Sequence, residues 1–302
     1  MSYDATDPRA TLAPPQSSSP GGDDGIAAAQ YLEFDVLSPT EMSEAGSPSW
    51  HVRAQNLVLV HTHLKAGDSL VRDEQAHEYA AILPDPDASV SVSAGDESAA
   101  VDGVALIVLP PGASAITATT DTRVVRLFDS RDGDVLAQAL NAQHYEEAHP
   151  RVALLEPWPA PADDQLRIYR VADVQAEPGR FGRIFRTSSF MVNFLDDQNG
   201  PRDPEKLSPH HHDDFEQISL AVEGSWLHHI RTPWTPKRSR WRDDEHVLVG
   251  SPSVAIIPPP TVHTSEAQHP GLNRLIDIFS PPRADFSAKP GWVLNAEEYP
   301  AP

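Results

Sequence analysis

From Asn56 to Phe128 the chain is a succession of short apolar or alternating runs: NLVLVH, YAAIL, SVSVSA, VALIVL, SAITAT and RVVRLF. Turn signals separate them, namely KAGD, PDPD, AGDE and PPGA. Such text supports short strands and excludes an architecture of long helices. The thirty prolines in 302 residues act in the same direction, since proline interrupts helices and closes strands. The same kind of text resumes at RIYRV (167–171) and continues through SFMVNF, EQISLAV, SWLHHIR, HVLVG, SVAIIP and NRLIDIF. The expected fold class is all-β, a sandwich or barrel.

Three segments interrupt this pattern. Residues 1–27 are rich in Pro, Ser, Gly and Asp and read as a disordered tail. Residues 132–148 lack breakers after Gly133 and read as a helix. EPWPAPADD (156–164) reads as a linker, and 281–300 as an extended tail packing back on the barrel or on a partner subunit.

The two halves share a rhythm. Each has a glutamate leading into an apolar strand, at Glu78 and Glu216. Each has a strand closed by prolines, VALIVLPPG and SVAIIPPP, and each ends in a similar strand, VVRLFDS and RLIDIFS. An internal duplication accounts for this.

Composition narrows the function classes. The net charge is 23 − 44 = −21, which disfavours nucleic acid and anionic membranes as partners. There is no cysteine, so any metal site must use His, Asp or Glu, which favours harder or borderline ions. The N-terminus has no apolar signal core, and a cytoplasmic location is expected.

The stretch SPHHHDDFEQ (208–217) carries the candidate chemistry. Residues two apart on a strand share a face, so His210 and His212 face together and His211 points away. If the strand continues, Glu216 joins them and Gln217 faces the opposite side. About fifty residues later, His263 follows a proline-closed strand. Three imidazoles and a carboxylate would hold a divalent ion with positions left open for water, substrate or dioxygen. His228 and His229 lie on the next strand; alternation turns one of them inward as a candidate general acid or base. In the basic loop 231–242, Arg231 and Trp234 are candidates for binding an anionic substrate, against the plainer reading of a loop pairing with the acidic surface.

HHHDDFEQISLAVEG and PSVAIIPPPTVHTSEA resemble the two motifs of the cupin superfamily, G-x5-H-x-H-x3,4-E-x6-G and G-x5-P-x-G-x2-H-x3-N. His210, His212, Glu216, Pro258 and His263 fit, while Gly224 comes one residue late and several turn glycines are replaced. The resemblance implies two jelly-roll barrels. The first, over 28–150, is a degenerate cupin with Arg72, Glu74 and Ala115 in the histidine places and no metal; the second, over 151–302, holds the ion. It further implies a metal-dependent enzyme acting on a small organic molecule. A dioxygenase using Fe(II) is the first expectation; Mn, Ni or Zn, a redox-neutral isomerase or lyase, and a non-catalytic binding protein are the alternatives. The partners expected are a small-molecule substrate and, through the tail, a second copy of the chain as a homodimer.

Overall fold

The computed structural model describes residues 7–11, 25–175 and 177–302. Among them, α-helix is confined to two single turns, Gly133–Leu136 and Ala284–Ser287. The rest of the regular structure is strand and 3-10 turn, as the all-β reading requires. Among the described residues no helix is long and apolar enough to cross a membrane. The helix expected over 132–148 is a correction: the chain forms Gly133–Leu136, breaks, and forms a 3-10 turn at Ala142–Tyr145. Most of the tail 1–27 lies outside the described residues. Its described part includes a 3-10 turn, Pro8–Thr11, with Arg9 buried.

The strands form four sheets, two large and two small, and every pairing between named strands is antiparallel. In the N-terminal half a seven-stranded sheet, with Leu57–Leu64, Tyr79–Leu83 and Thr122–Asp129 near its middle, closes over a four-stranded one. In the C-terminal half another seven-stranded sheet holds Glu216–Glu223 and Leu272–Ser280, and faces a three-stranded sheet of Trp226–Arg231, Glu245–Val249 and Val262–Ala267.

Both faces of the large sheets are buried, which explains why their strands read as nearly continuous apolar runs. Leu57 and Leu59 enter a layer shared with Ile218, Leu220 and Val222, while Val58 and Val60 fill the N-terminal barrel. The two large sheets therefore pack against each other through one face and line their own barrel with the other. Each aliphatic side chain buried in the shared layer contributes about 1.5–3 kcal/mol relative to exposure.

The halves also exchange strands. Gln30–Glu33 pairs with Ser253–Ile257 in the C-terminal sheet. Arg167–Arg170 pairs with Ala105–Leu109 in the N-terminal sheet. The expected units 28–150 and 151–302 thus each lend a strand to the other's sheet. The terminal segment packs back on the chain: Phe286, Trp292 and Val293 join Met191 and Phe279, and Tyr299 enters the shared layer.

Candidate metal centre

Three of the expected residues meet in the C-terminal barrel. His210 and His263 form an isolated bridge through two backbone hydrogen bonds, 3.0 and 2.8 Å long. Their rings are 4.3 Å apart, and the His212 ring lies 5.0 Å from that of His263.

Glu216 does not join them. After His212 the chain bends at Asp213 and Asp214 before the strand Glu216–Glu223 begins, so face alternation does not carry across the gap. The Glu216 carboxylate lies on the opposite face, toward the N-terminal half. There it accepts from the backbone N–H of Gln55 at 2.6 Å, from Tyr145 Oη at 3.2 Å and from His149 Nδ1 at 2.9 Å. Gln217 takes the inward position instead, with Oε1 3.4 Å from His263 Nε2. The sequence held a signal for this. Six residues separate Gln217 from Gly224, the motif's own spacing from its acidic position to glycine. Gly224 has φ +84°, and a Cβ there would meet Asn273 Oδ1 at 2.4 Å, so this glycine marks the register firmly.

The donor set suits a cation. His263 Nδ1 lies 3.0 Å from Thr261 O, and since a carbonyl only accepts, Nδ1 carries the proton. Burial pushes the His263 pKa down to about 4, so the ring is neutral near pH 7 and Nε2 presents a lone pair. The Gln217 amide nitrogen donates to Ser219 Oγ at 2.9 Å and to Asp277 Oδ1 at 3.0 Å, which leaves Oε1 facing that lone pair. Two acceptors face each other across 3.4 Å. Donors held about 2.1 Å from one ion at a right angle lie about 3 Å apart. His210 Nδ1 is held in the same manner by Ser208 O at 3.0 Å. Both ring nitrogens of His212 are buried; the Phe215 backbone is the polar group nearest the ring, and neither nitrogen makes a well-formed hydrogen bond among the described residues, an arrangement that costs stability unless something binds there. Burial, then the neighbouring His263, holds both His210 and His212 well below the usual histidine range.

His228 is the inward histidine of its strand. It is fully buried, with Nδ1 2.9 Å from Ser265 Oγ and no hydrogen-bond partner at Nε2 among the described residues. His229 faces outward to His246 and Glu266. His211 lies beside Asp213, 3.5 Å away. Arg231 is exposed and paired with Asp244, and Trp234 stacks on Trp241 at the surface, 4.4 Å between centroids, so neither enters the histidine cluster. The cations near the cluster are others. The Arg283 guanidinium lies 3.7 Å from the Phe286 ring and 5.5 Å from Phe215, which itself stacks on His212 at 4.3 Å. Arg9 lies 4.2 Å from the Phe181 ring. Nothing in the sequence marked Arg9, because it belongs to the segment read as disordered.

The N-terminal barrel repeats the scaffold with other side chains. Ser114 pairs with Arg72 as His263 pairs with His210, so Ser114 rather than Ala115 holds the third histidine place. Tyr79 Oη meets Ser114 Oγ at 2.9 Å where Gln217 meets His263 in the other half. Nearby, ligand atoms of His77, Asp129 and Asp132 lie within 4.8 Å of one another, a grouping of the size that can hold an ion. Asp129, however, already accepts from Arg131 through its backbone N–H and guanidinium and from Ser189 Oγ, which commits most of its lone pairs.

No family model matches the chain, and no curated protein matches it. Solved structures do. An oxalate decarboxylase of Lactobacillus farciminis in complex with formate is similar at 13% identity and a TM-score of 0.58, over 86% of this chain and 88% of that one. A Bacillus subtilis oxalate decarboxylase variant gives 14% and 0.56, over 91% and 85%. An IolB-like protein from Salmonella typhimurium gives 14% and 0.52, over 84% and 93%. The likeness is one of fold, the all-β cupin arrangement.

Proposed function

We propose that the C-terminal barrel holds one divalent metal ion on His210, His212, His263 and Gln217, and that the protein is a metal-dependent enzyme acting on a small organic molecule. The observation that carries this reading is the pair of facing lone pairs on His263 Nε2 and Gln217 Oε1, beside a His212 ring that makes no well-formed hydrogen bond among the described residues. Three imidazoles and an amide oxygen suit iron, manganese, nickel or zinc. When bound, such an ion would polarise an oxygen of the substrate.

The chain's own residues supply the rest. The bridge between His210 and His263 sets the spacing of the cluster, and Phe215 shields His212. His228 can give or take a proton at Nε2, with Ser265 holding the opposite nitrogen. This placement supports redox-neutral proton transfer, the class to which decarboxylation and isomerisation belong. Dioxygen chemistry, with iron, is the second reading, supported by a neutral-imidazole set with open positions.

Metal analysis of the purified protein tests the site, and turnover under air and under nitrogen separates the reactions. Oxygen uptake with 1,3-diketones, catechols or flavonols supports dioxygenation. Turnover of a carboxylic or keto acid under nitrogen supports the redox-neutral reading, and absence of turnover in either arm supports a binding protein.

A further inference from the structure

We infer that Asp277 is a positioning residue of the C-terminal barrel: together with Ser219 it fixes the rotation of the Gln217 amide so that oxygen, not nitrogen, faces the histidines. The inference rests on the metal reading above.

A glutamine amide has two ends of nearly equal size and opposite hydrogen-bonding character. Turned over, Gln217 would donate an N–H to His263 Nε2 and offer no ligand oxygen. The neighbours exclude that rotamer. Asp277 is buried and lies opposite Ser219 on the adjacent strand, and its Oδ1 is the acceptor of both contacts. Its Oδ1 takes the Gln217 amide at 3.0 Å and the Ser219 hydroxyl at 2.8 Å. Ser219 Oγ, having donated to Asp277, accepts from the same amide at 2.9 Å. Turning Gln217 over would set its carbonyl oxygen against the carboxyl of Asp277 and leave the single Ser219 hydroxyl as the donor for both acceptors.

The N-terminal half shows that the scaffold does not itself require this arrangement. There Tyr79 stands in the place of Gln217, Ala81 in that of Ser219 and Arg126 in that of Asp277, by the same strand pairing. Neither alanine nor arginine offers a side-chain acceptor. The lock occurs in the half that carries the histidines. The ligand oxygen is thus neutral, and the Asp277 carboxyl lies one hydrogen bond behind it.

The test uses the full-length protein and Co2+ as probe. Affinity is read by chelator competition and ligand geometry by the visible spectrum, with circular dichroism as the check on folding. Asp277→Ala is expected to weaken Co2+ binding about tenfold to hundredfold and to change the spectrum. Asp277→Asn, whose side-chain oxygen still accepts, is expected to retain most of the affinity. Combining Asp277→Ala with Gln217→Glu is expected to restore binding, because a carboxylate presents an oxygen in either rotation. Unchanged affinity and spectrum in Asp277→Ala, or a double variant as weak as that single one, would overturn the inference. If Asp277→Ala does not fold, Ser219→Ala reads the same lock from its other partner, and unchanged Co2+ binding there counts against it. His263→Ala separates the two claims. Loss of Co2+ in His263→Ala with none in Asp277→Ala removes the positioning role alone, whereas binding unaffected by His263→Ala removes the metal reading itself.

Discussion

Glu216 and Gln217 are adjacent in the chain and serve opposite sides of one strand: the Glu216 carboxylate accepts the backbone N–H of Gln55, while the Gln217 amide oxygen faces His263. The first contact has a counterpart in the other half. Glu78 accepts from the backbone N–H of Ser188 at 3.0 Å and from Tyr299 Oη at 2.7 Å, as Glu216 does from Gln55 and Tyr145. Each glutamate reaches across from one half to the other. The shared glutamate of the two halves is therefore a joint between them.

Replacing Glu216 by alanine leaves the Gln55 amide, Tyr145 and His149 without their buried acceptor. The expected loss of stability is about 3–5 kcal/mol by urea denaturation. Bound metal per chain should stay unchanged. A variant that keeps its stability but loses metal would show that Glu216 is a ligand after all.

Stability should depend on pH through the buried histidines. His51, His61, His212, His228 and His263 are all held below the ordinary range, chiefly by burial, with His51, His228 and His263 near 4. Below about pH 6.5 the unfolded chain binds protons that the metal-free folded chain refuses, so stability falls as the pH drops. Each group contributes about 1.4 kcal/mol per pH unit until its folded pKa is reached. Urea midpoints measured from pH 7 to pH 5 should fall steeply, and a flat profile would contradict this.

His149 acts with the opposite sign. Burial works to lower its pKa, but the hydrogen bond to Glu216 and the charge of Glu216 outweigh it and raise it. Its contribution is fully present below about pH 6.5 and is lost as the pH rises through the raised folded value. His149→Gln should flatten that alkaline limb of the urea midpoint and leave the acid limb in place.

Gly224→Ala should destabilise the C-terminal half. Its φ of +84° is strained for alanine, and the new Cβ would lie 2.4 Å from Asn273 Oδ1 and 2.8 Å from Leu272 O. A loss above about 2 kcal/mol is expected from thermal unfolding.

Much of this was legible in the sequence. Short runs closed by prolines gave the strands, and the repeated rhythm matches two scaffolds that share their hydrogen bonds. His210, His212 and His263 could be placed together because each sits beside a strand end. Alternation alone puts Glu216 with the histidines, but the chain is not a strand at Asp213 and Asp214 and the Glu216 carboxylate turns to the N-terminal half; the spacing from Gln217 to Gly224 carries that register. Strand exchange could not be read, because QYLE has no apolar alternation, its one buried residue is the polar Gln30, and nothing in it names its partner. Arg9 was missed for a related reason, since its burial depends on Phe181, far away in the chain.

The most direct test is the metal content of the purified full-length protein beside His263→Ala, Gln217→Ala and Glu216→Ala, measured by elemental analysis after equal metal loading. One divalent ion per chain is expected in the wild type and in Glu216→Ala, with loss in His263→Ala and marked weakening in Gln217→Ala. Metal retained in His263→Ala, or lost in Glu216→Ala and kept in Gln217→Ala, would contradict the account.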